Sequence, residues 1–498
     1  MNDLNKKMAA GAAWMIFLRW ATRGLGFVSV VILARLLTPA DFGVVALATV
    51  ISAVLELMSA FSFDIALIQR PDQTRAHYDT AWTITIVFSL LTALILVALA
   101  HGAGIFYNEP RVEAIMYFLA IGTLAEGFQN IGVVAFRKEM DFQKEFIFQV
   151  AKKFISFAIT VPLAFWLRNY WALVIGILVS KFAGTVLSYI VQPYRPRWST
   201  AAWSELFHFS RWLFFNNLLG FLRLRGSDFI VGKVLGPTAL GIFTLSFELS
   251  QMPSSELVAP INRAVFPAYA QISGDLRKLR QSYLDVVGMI ALLAIPAAVG
   301  LAALADVVVP VVLGPNWVGA EPLIRILGIA GAITTLETNI GAAYLALGKP
   351  QILTKLYGFY VALLIALLLV FTPLWGVTGA AWACLVAGLL NIPVYFGAML
   401  MTLRLALSHF LAVVWRPIFA SFVMYIAVSA ALDLAGEWGV RTPLPLLIGG
   451  IAVGVVVYFA VIGGSWYSAG APRGAETAIL GRLSALLRRG GDARAPIL

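Results

Sequence analysis

Along this chain, runs of twenty or more residues rich in Leu, Ile, Val, Ala and Phe alternate with short polar breaks. A helix needs about 20 such residues to cross the hydrocarbon core of a bilayer. Fourteen stretches reach that length, at roughly 12–37, 41–66, 80–103, 112–136, 146–167, 170–191, 211–234, 238–262, 283–313, 320–346, 354–374, 376–401, 411–433 and 443–463. Turn-forming clusters such as "LTPAD", "YNEPR", "LGPTA", "LGPNW" and "LGKPQ" separate many of them. The pattern predicts an all-α polytopic membrane protein with about 14 transmembrane helices.

Composition agrees with that reading and removes several others. Hydrophobic residues make up 60% of the 498 positions and charged residues only 12%, against roughly 25% charged in soluble chains. Cys384 is the only cysteine, which excludes disulfides and cysteine-rich metal sites, and the four histidines are scattered without ligand spacing. No metal or other cofactor is expected. The net charge of +11 reflects basic cytoplasmic loops, not a nucleic-acid partner. The first apolar stretch reads as a retained helix and not a cleaved signal peptide.

The basic residues also set the orientation. With the N-terminus inside, most of the 36 Lys and Arg residues fall on the cytoplasmic side, while Arg35, Arg111, Arg168, Lys233 and Arg441 fall at the outer edge. An odd number of crossings would destroy this asymmetry, so both termini are expected to be cytoplasmic. In the tail, Ile479, Leu480, Leu483, Leu486 and Leu487 share one helical side, with Arg482, Arg488 and Arg489 elsewhere. That arrangement suits an interfacial helix on anionic membrane lipids, with a mobile basic tail as the alternative.

An internal echo organises the chain. "ARLLTPADFGVVALA" at 34–48 matches "GKVLGPTALGIFTLS" at 232–246, pairing Leu37, Pro39, Gly43 and Leu47 with Leu235, Pro237, Gly241 and Leu245. Asn130-Ile131-Gly132 pairs similarly with Asn339-Ile340-Gly341. Six helices intervene in each case, so the repeats are parallel and related by an axis along the membrane normal. The expected domains are 1–197 and 198–405 as six-helix lobes, 406–465 as two additional helices, and 466–498 as a basic tail.

The hairpin "ILARLLTPADFGVVALA", following a basic N-terminal helix, resembles the polysaccharide transporter branch of the multidrug/oligosaccharidyl-lipid/polysaccharide exporter superfamily, which includes Wzx-type flippases. The resemblance covers most of the chain, is strong over the first 70 residues and fades after about residue 400. It implies two six-helix lobes forming a V-shaped bundle around a central cavity, plus two C-terminal helices. It also implies a flippase of the bacterial inner membrane that moves undecaprenyl-diphosphate-linked oligosaccharide repeat units by alternating access, for exopolysaccharide or O-antigen synthesis. Further partners implied are the polymerase and export machinery of the same pathway.

Charges inside apolar spans are the candidate site. "FLRWATRGLGF" carries Arg19 and Arg23 on one helical side, and "FLRLRGSDF" carries Arg223 and Arg225 in the repeat-related helix. An arginine at mid-membrane costs roughly 2.5–3.5 kcal/mol on insertion scales, and its planar donor fork suits phosphate oxygens. These four, with Lys152, Lys181 and Arg325, are the candidate substrate-binding residues; Lys153 is secondary. Ion pairing is the competing reading for the arginines, with Glu56 or Asp64 for the first pair and Asp228 for Arg225, and snorkelling to the interface is that for Lys152 and Lys153. Glu56, Asp64, Glu126, Asp228 and Glu337 are candidates for ion coupling or charge pairing, Glu56 and Glu126 being the deepest. Two other functions stay open: a cation-coupled multidrug extruder, and a membrane-embedded polymerase or transferase. The outer loops are too short for an extracytoplasmic catalytic domain, so the expectation is that the chain is not an enzyme.

Overall fold

The computed structural model describes residues 2–59, 67, 74–440, 442–470 and 477. Asp64 and the tail proposed as an interfacial helix lie outside the described residues. Among those described the chain is helical, with no strand. In order the α-helices are α1 (Asn2–Leu36), α2 (Pro39–Ser59), α3 (Arg75–Tyr107), α4 (Arg111–Gly127), α5 (Val134–Lys138), α6 (Phe142–Leu167), α7 (Trp171–Val191) and α8 (Trp203–Ser250). They continue as α9 (Ala259–Ile272), α10 (Leu276–Ala303), α11 (Ala305–Val308), α12 (Glu321–Ala346), α13 (Pro350–Leu403), α14 (Leu407–Glu437) and α15 (Pro443–Ser468).

Eleven helical stretches among the described residues are long and apolar enough to cross a membrane, or twelve if a pair bent by 66° is one crossing. Fourteen would require the two longest to cross twice. Their lengths allow it: Leu218–Ile272 has 55 residues and Pro350–Leu403 has 54, each rising roughly 80 Å against a core of about 30 Å. Both are also broken. Gly236 leaves helical geometry at φ 78° just before Pro237, and Trp375 and Gly376 do so in α13. Backbone in lipid must satisfy its own hydrogen bonds, which leaves helices as the solution for such apolar runs.

Two compact units divide the chain. The first comprises Met1–Thr244 with Leu313–Asn316, and the second Leu245–Val312 with Trp317–Leu498. In the first, α3 packs on α4, α6 on α7 and on α1, and α4 on α7 and α2. The two hairpins that match in sequence meet here. A Cβ on Gly43 would fall 1.7 Å from the Pro237 carbonyl oxygen, and one on Gly241 would fall 1.9 Å from that of Pro39. Only glycine permits this backbone approach, and each hairpin presents the same residue to the other.

The second sequence echo behaves differently. Asn130 accepts from the Gly132 amide at 2.9 Å and donates from its Nδ2 to the Tyr194 carbonyl at 2.6 Å, at the bend after α4. A side chain that bonds its own nearby backbone competes with the helix and breaks it. Asn339 instead accepts from Tyr269 Oη at 3.1 Å and donates to Asn262 Oδ1 at 2.8 Å, and α12 runs through it unbroken. Beyond α7 the chain has no regular secondary structure over 192–200. It is strapped to α3 where Tyr194 Oη and the Arg197 amide both donate to Asp79 Oδ1, at 2.6 and 2.9 Å. In the second unit α12 packs against α9, α10 and α13, and α14 against α10 and α15.

Candidate functional site

Four helices of the first unit bring four intramembrane charges together. Ser52 and Glu56 are one turn apart on α2, Thr123 and Glu126 on α4, and Lys181 and Thr185 on α7. Lys152 joins them from α6. Lys181 Nζ lies 2.6 Å from Glu56 Oε1 and 2.9 Å from Glu126 Oε2, and Lys152 Nζ lies 3.8 Å from Glu126 Oε1. Ser52 and Thr123 hydroxyls donate to Glu56 Oε1, each at 2.9 Å. Thr185 donates instead to the Ala125 carbonyl at 2.7 Å, tying α7 to α4 beside the acids.

Glycines seat the lysines. A Cβ on Gly122 would stand 3.0 Å from Lys181 Cδ, and one on Gly184 would stand 3.1 Å from Lys152 Cδ, so each aliphatic stem lies across a neighbouring helix with no side chain in its way. The Lys181 side chain is only 12% exposed, while those of Glu56 and Glu126 are 33% and 39% exposed. The cation is therefore interior and the acids reach the surface. Two ammonium groups and two carboxylates balance, which offsets the cost of placing each charge in a low-dielectric medium. The sequence reading gave the lysines to the substrate and the acids to ion coupling or to pairing with arginines; the structure pairs these acids with the lysines.

A second group of cations lies on α1. Arg19, Arg23 and Gly26 share a stripe, because four and seven residues return to nearly the same helical azimuth. Gly26 faces α6, where Lys153 Cε would be 3.8 Å from an added Cβ. Aromatic contacts of Trp14 and Phe17 with Phe146, at 5.1 and 5.3 Å between centroids, hold α1 against α6 about three turns before Gly26. Arg19 is half-buried and Arg23 exposed. Helix α6 thus connects both groups, with Lys152 turned to the acids and Lys153 to the α1 stripe.

The remaining candidates fall elsewhere. On α8, Arg225 Nη1 pairs with Asp228 Oδ2 at 3.2 Å, the carboxylate being buried, and Arg223 is half-buried two residues before it. Near the start of α12, Arg325 is paired with Asp306 of α11. Glu337 is 5% exposed and accepts a hydrogen bond from Asn391 Nδ2 at 3.0 Å. Sequence reasoning missed Ser52, Thr123, Asp306 and Asn391. Ser52 was legible as a hydroxyl one turn before an intramembrane acid, and Asn391 as an amide inside an apolar run.

Residues 32–322 match the protein family described as "Polysaccharide biosynthesis protein". Among curated relatives, the lipopolysaccharide biosynthesis protein WzxC of Escherichia coli (strain K12) is 23% identical over 445 residues, covering 87% of this chain and 90% of that one. The succinoglycan biosynthesis transport protein ExoT of Rhizobium meliloti (strain 1021) is 24% identical over 474 residues, covering 92% and 93%. Among solved structures, the lipid II flippase MurJ in an inward closed conformation superposes with a TM-score of 0.72 at 14% identity, covering 92% of this chain and 99% of that one. An inward-facing multidrug resistance MATE family transporter of the MOP superfamily gives 0.58 at 14% identity, covering 76% and 94%. The fold is that of these multi-pass transporters.

Proposed function

We propose, for a chain that belongs to the polysaccharide biosynthesis protein family, that it is a flippase and not an enzyme. It moves undecaprenyl-diphosphate-linked oligosaccharide repeat units from the cytoplasmic to the outer leaflet of a bacterial inner membrane. Both termini are cytoplasmic in this reading, and fourteen crossings form two parallel six-helix lobes (1–197 and 198–405) followed by two further helices. The product feeds the polymerase and export machinery of surface polysaccharide synthesis. Relatives named for lipopolysaccharide biosynthesis and succinoglycan transport, and a structural neighbour named as a lipid II flippase, support the assignment.

The observation that carries it is a gathering of cations on neighbouring membrane-spanning helices. Beside the cluster of Lys181, Lys152, Glu56 and Glu126, the stripe of Arg19, Arg23 and Lys153 places three more cationic side chains on α1 and α6. A diphosphate cannot cross about 30 Å of hydrocarbon without such compensation. Guanidinium groups supply it with fixed charge and paired donors. Arg223 contributes from α8, while Arg225 and Arg325 serve chiefly to hold Asp228 and Asp306. Extrusion of cationic drugs fits less well, because the surface-reaching acids Glu56 and Glu126 are already engaged by lysines.

The test is uptake of a labelled undecaprenyl-diphosphate-linked repeat unit into inverted membrane vesicles. Arg19→Ala with Arg23→Ala is expected to abolish transport at normal membrane levels, and Lys at both positions to rescue it only partly. Unchanged transport in the double alanine variant overturns the assignment of this pair.

A further inference from the structure

The second unit holds a buried acid hydrogen-bonded to a buried amide whose own oxygen lacks a donor. Glu337 lies within α12, roughly 24 Å from its Glu321 end and roughly 13 Å from its Ala346 end by helical rise. Asn391 of α13 is fully buried, and its Nδ2 donates to Glu337 Oε1 at 3.0 Å. The other half of the same amide, Asn391 Oδ1, is buried with no hydrogen-bond partner among the described residues. A carboxylate only accepts hydrogen bonds; a carboxylic acid also donates one. An acid and an amide side by side can close a ring, N–H to one carboxyl oxygen and O–H from the other to the amide oxygen. Turning the amide over does not remove the need. It sets Asn391 Oδ1 against Glu337 Oε1, and two oxygens at that separation also require a hydrogen between them.

From this we infer that Glu337 is a proton-binding site, its carboxyl hydrogen donated to Asn391 Oδ1 in this conformation. The pair links α12 to α13, so losing the proton breaks a bond between two packed helices. Other titratable groups lie on the elements packed against α12. Tyr269 of α9, Tyr283 of α10, and Tyr395 and Cys384 of α13 are buried. Glu256 of the π-helical turn at Ser254–Val258 is half-buried, and Arg263 of α9 and Asp285 of α10 are exposed. Tyr269 spends its hydroxyl on Asn339. A group that binds a proton at one depth and releases it when α12 and α13 part is what proton-coupled movement requires. This role deepens the flippase reading and rests on it, whereas the protonation of Glu337 stands apart from it.

Infrared difference spectra of the purified protein in lipid vesicles, wild type against Glu337→Gln at neutral pH, test the protonation without any substrate. The glutamine keeps the shape and can form an amide–amide ring. The expected difference is one protonated-carboxyl carbonyl band lost with Glu337, and the same band displaced in Asn391→Leu. A carboxylate band lost instead, in a variant of unchanged circular dichroism, overturns the proposal, and a protonated band that stays unmoved in Asn391→Leu overturns the ring. In vesicles transporting the labelled repeat unit, an imposed pH gradient is expected to change the wild-type rate and to leave that of Glu337→Gln unchanged. A gradient response kept in the variant overturns the coupling role. Loss of transport in Arg19→Ala with Arg23→Ala is scored separately, so either reading can fail alone.

Discussion

Replacing Lys181 by methionine keeps most of the side-chain volume over Gly122 and removes the charge that two carboxylates share. Glu56 Oε1 at 2.6 Å and Glu126 Oε2 at 2.9 Å then lose their nearest cation. Removing one partner of a fully buried pair costs about 3–5 kcal/mol. Here the acids are a third or more exposed, and solvent screening brings the expected loss down to about 2 kcal/mol. That is a factor of roughly 30 in the folded-to-unfolded ratio. Glu56 keeps the Ser52 and Thr123 hydroxyls, and Glu126 keeps only Lys152 at 3.8 Å, so Glu126 bears more of the penalty. Lys181→Met combined with Glu56→Gln and Glu126→Gln removes all three charges together, and is expected to recover most of the loss. Thermal unfolding of the purified variants in detergent, followed by tryptophan fluorescence, measures both. A single variant as stable as wild type would refute the reasoning, as would a triple variant no better than the single one.

Three further outcomes follow from the geometry. Gly43→Ala and Gly241→Ala each force a Cβ to within 2 Å of a carbonyl oxygen, and each is expected to lower stability by about 1–3 kcal/mol; because they share one contact, the double variant should lose less than the sum, measured by the same unfolding assay. Arg225→Ala is expected to destabilise by removing the guanidinium beside buried Asp228, and adding Asp228→Asn is expected to restore both stability and vesicle transport, whereas a ligand-binding Arg225 would leave transport lost. In the turn before α4, two hydrogen bonds from Arg111, both 2.8 Å, hold the Glu109 carboxyl below its ordinary value. Its contribution to stability is therefore complete above the ordinary carboxylate range and is lost as pH falls from there through the lowered value of the folded state; melting scans downward from about pH 7 should show a shallower acid-side decline in Glu109→Gln.

The all-helical, multi-pass fold was legible because apolar runs of spanning length have only one economical backbone solution in lipid. The stripe of Arg19 and Arg23 was legible for a similar reason, since residues four apart share a side of any helix. Partner choice was not. Lys181 finds Glu56 and Glu126 only when α2, α4 and α7 are packed at one particular rotation and depth, which no local pattern encodes. The two Asn-Ile-Gly segments make the same point. Identical residues break the chain after α4 and leave α12 straight, because Asn130 bonds its own backbone and the 192–200 strap while Asn339 is occupied by Asn262 and Tyr269. The helix count differs for yet another reason: the sequence divides the chain at 234/238 and 374/376, whereas the structure carries α8 and α13 through both places with only local breaks at Gly236 and at Trp375-Gly376.

Adjacent lysines on α6 explain how a balanced cluster and a cationic stripe coexist. Consecutive helical residues diverge by about 100°, so Lys152 and Lys153 reach different neighbours from one point in the membrane. Lys152 lies along Gly184 towards Glu126, and Lys153 lies beside Gly26 on the arginine stripe. Within the cluster the commitments are unequal. Lys181 serves two acids at hydrogen-bonding distance, whereas Lys152 stands 3.8 Å from an acid that Lys181 already holds at 2.9 Å. A doubly charged headgroup settling against Arg19 and Arg23 would compete for Lys152 far more easily than for Lys181, because only Lys152 can leave without stranding a carboxylate. Of the two lysines proposed from sequence as ligands, the packing therefore favours Lys152 for substrate and Lys181 for holding the helices that present it.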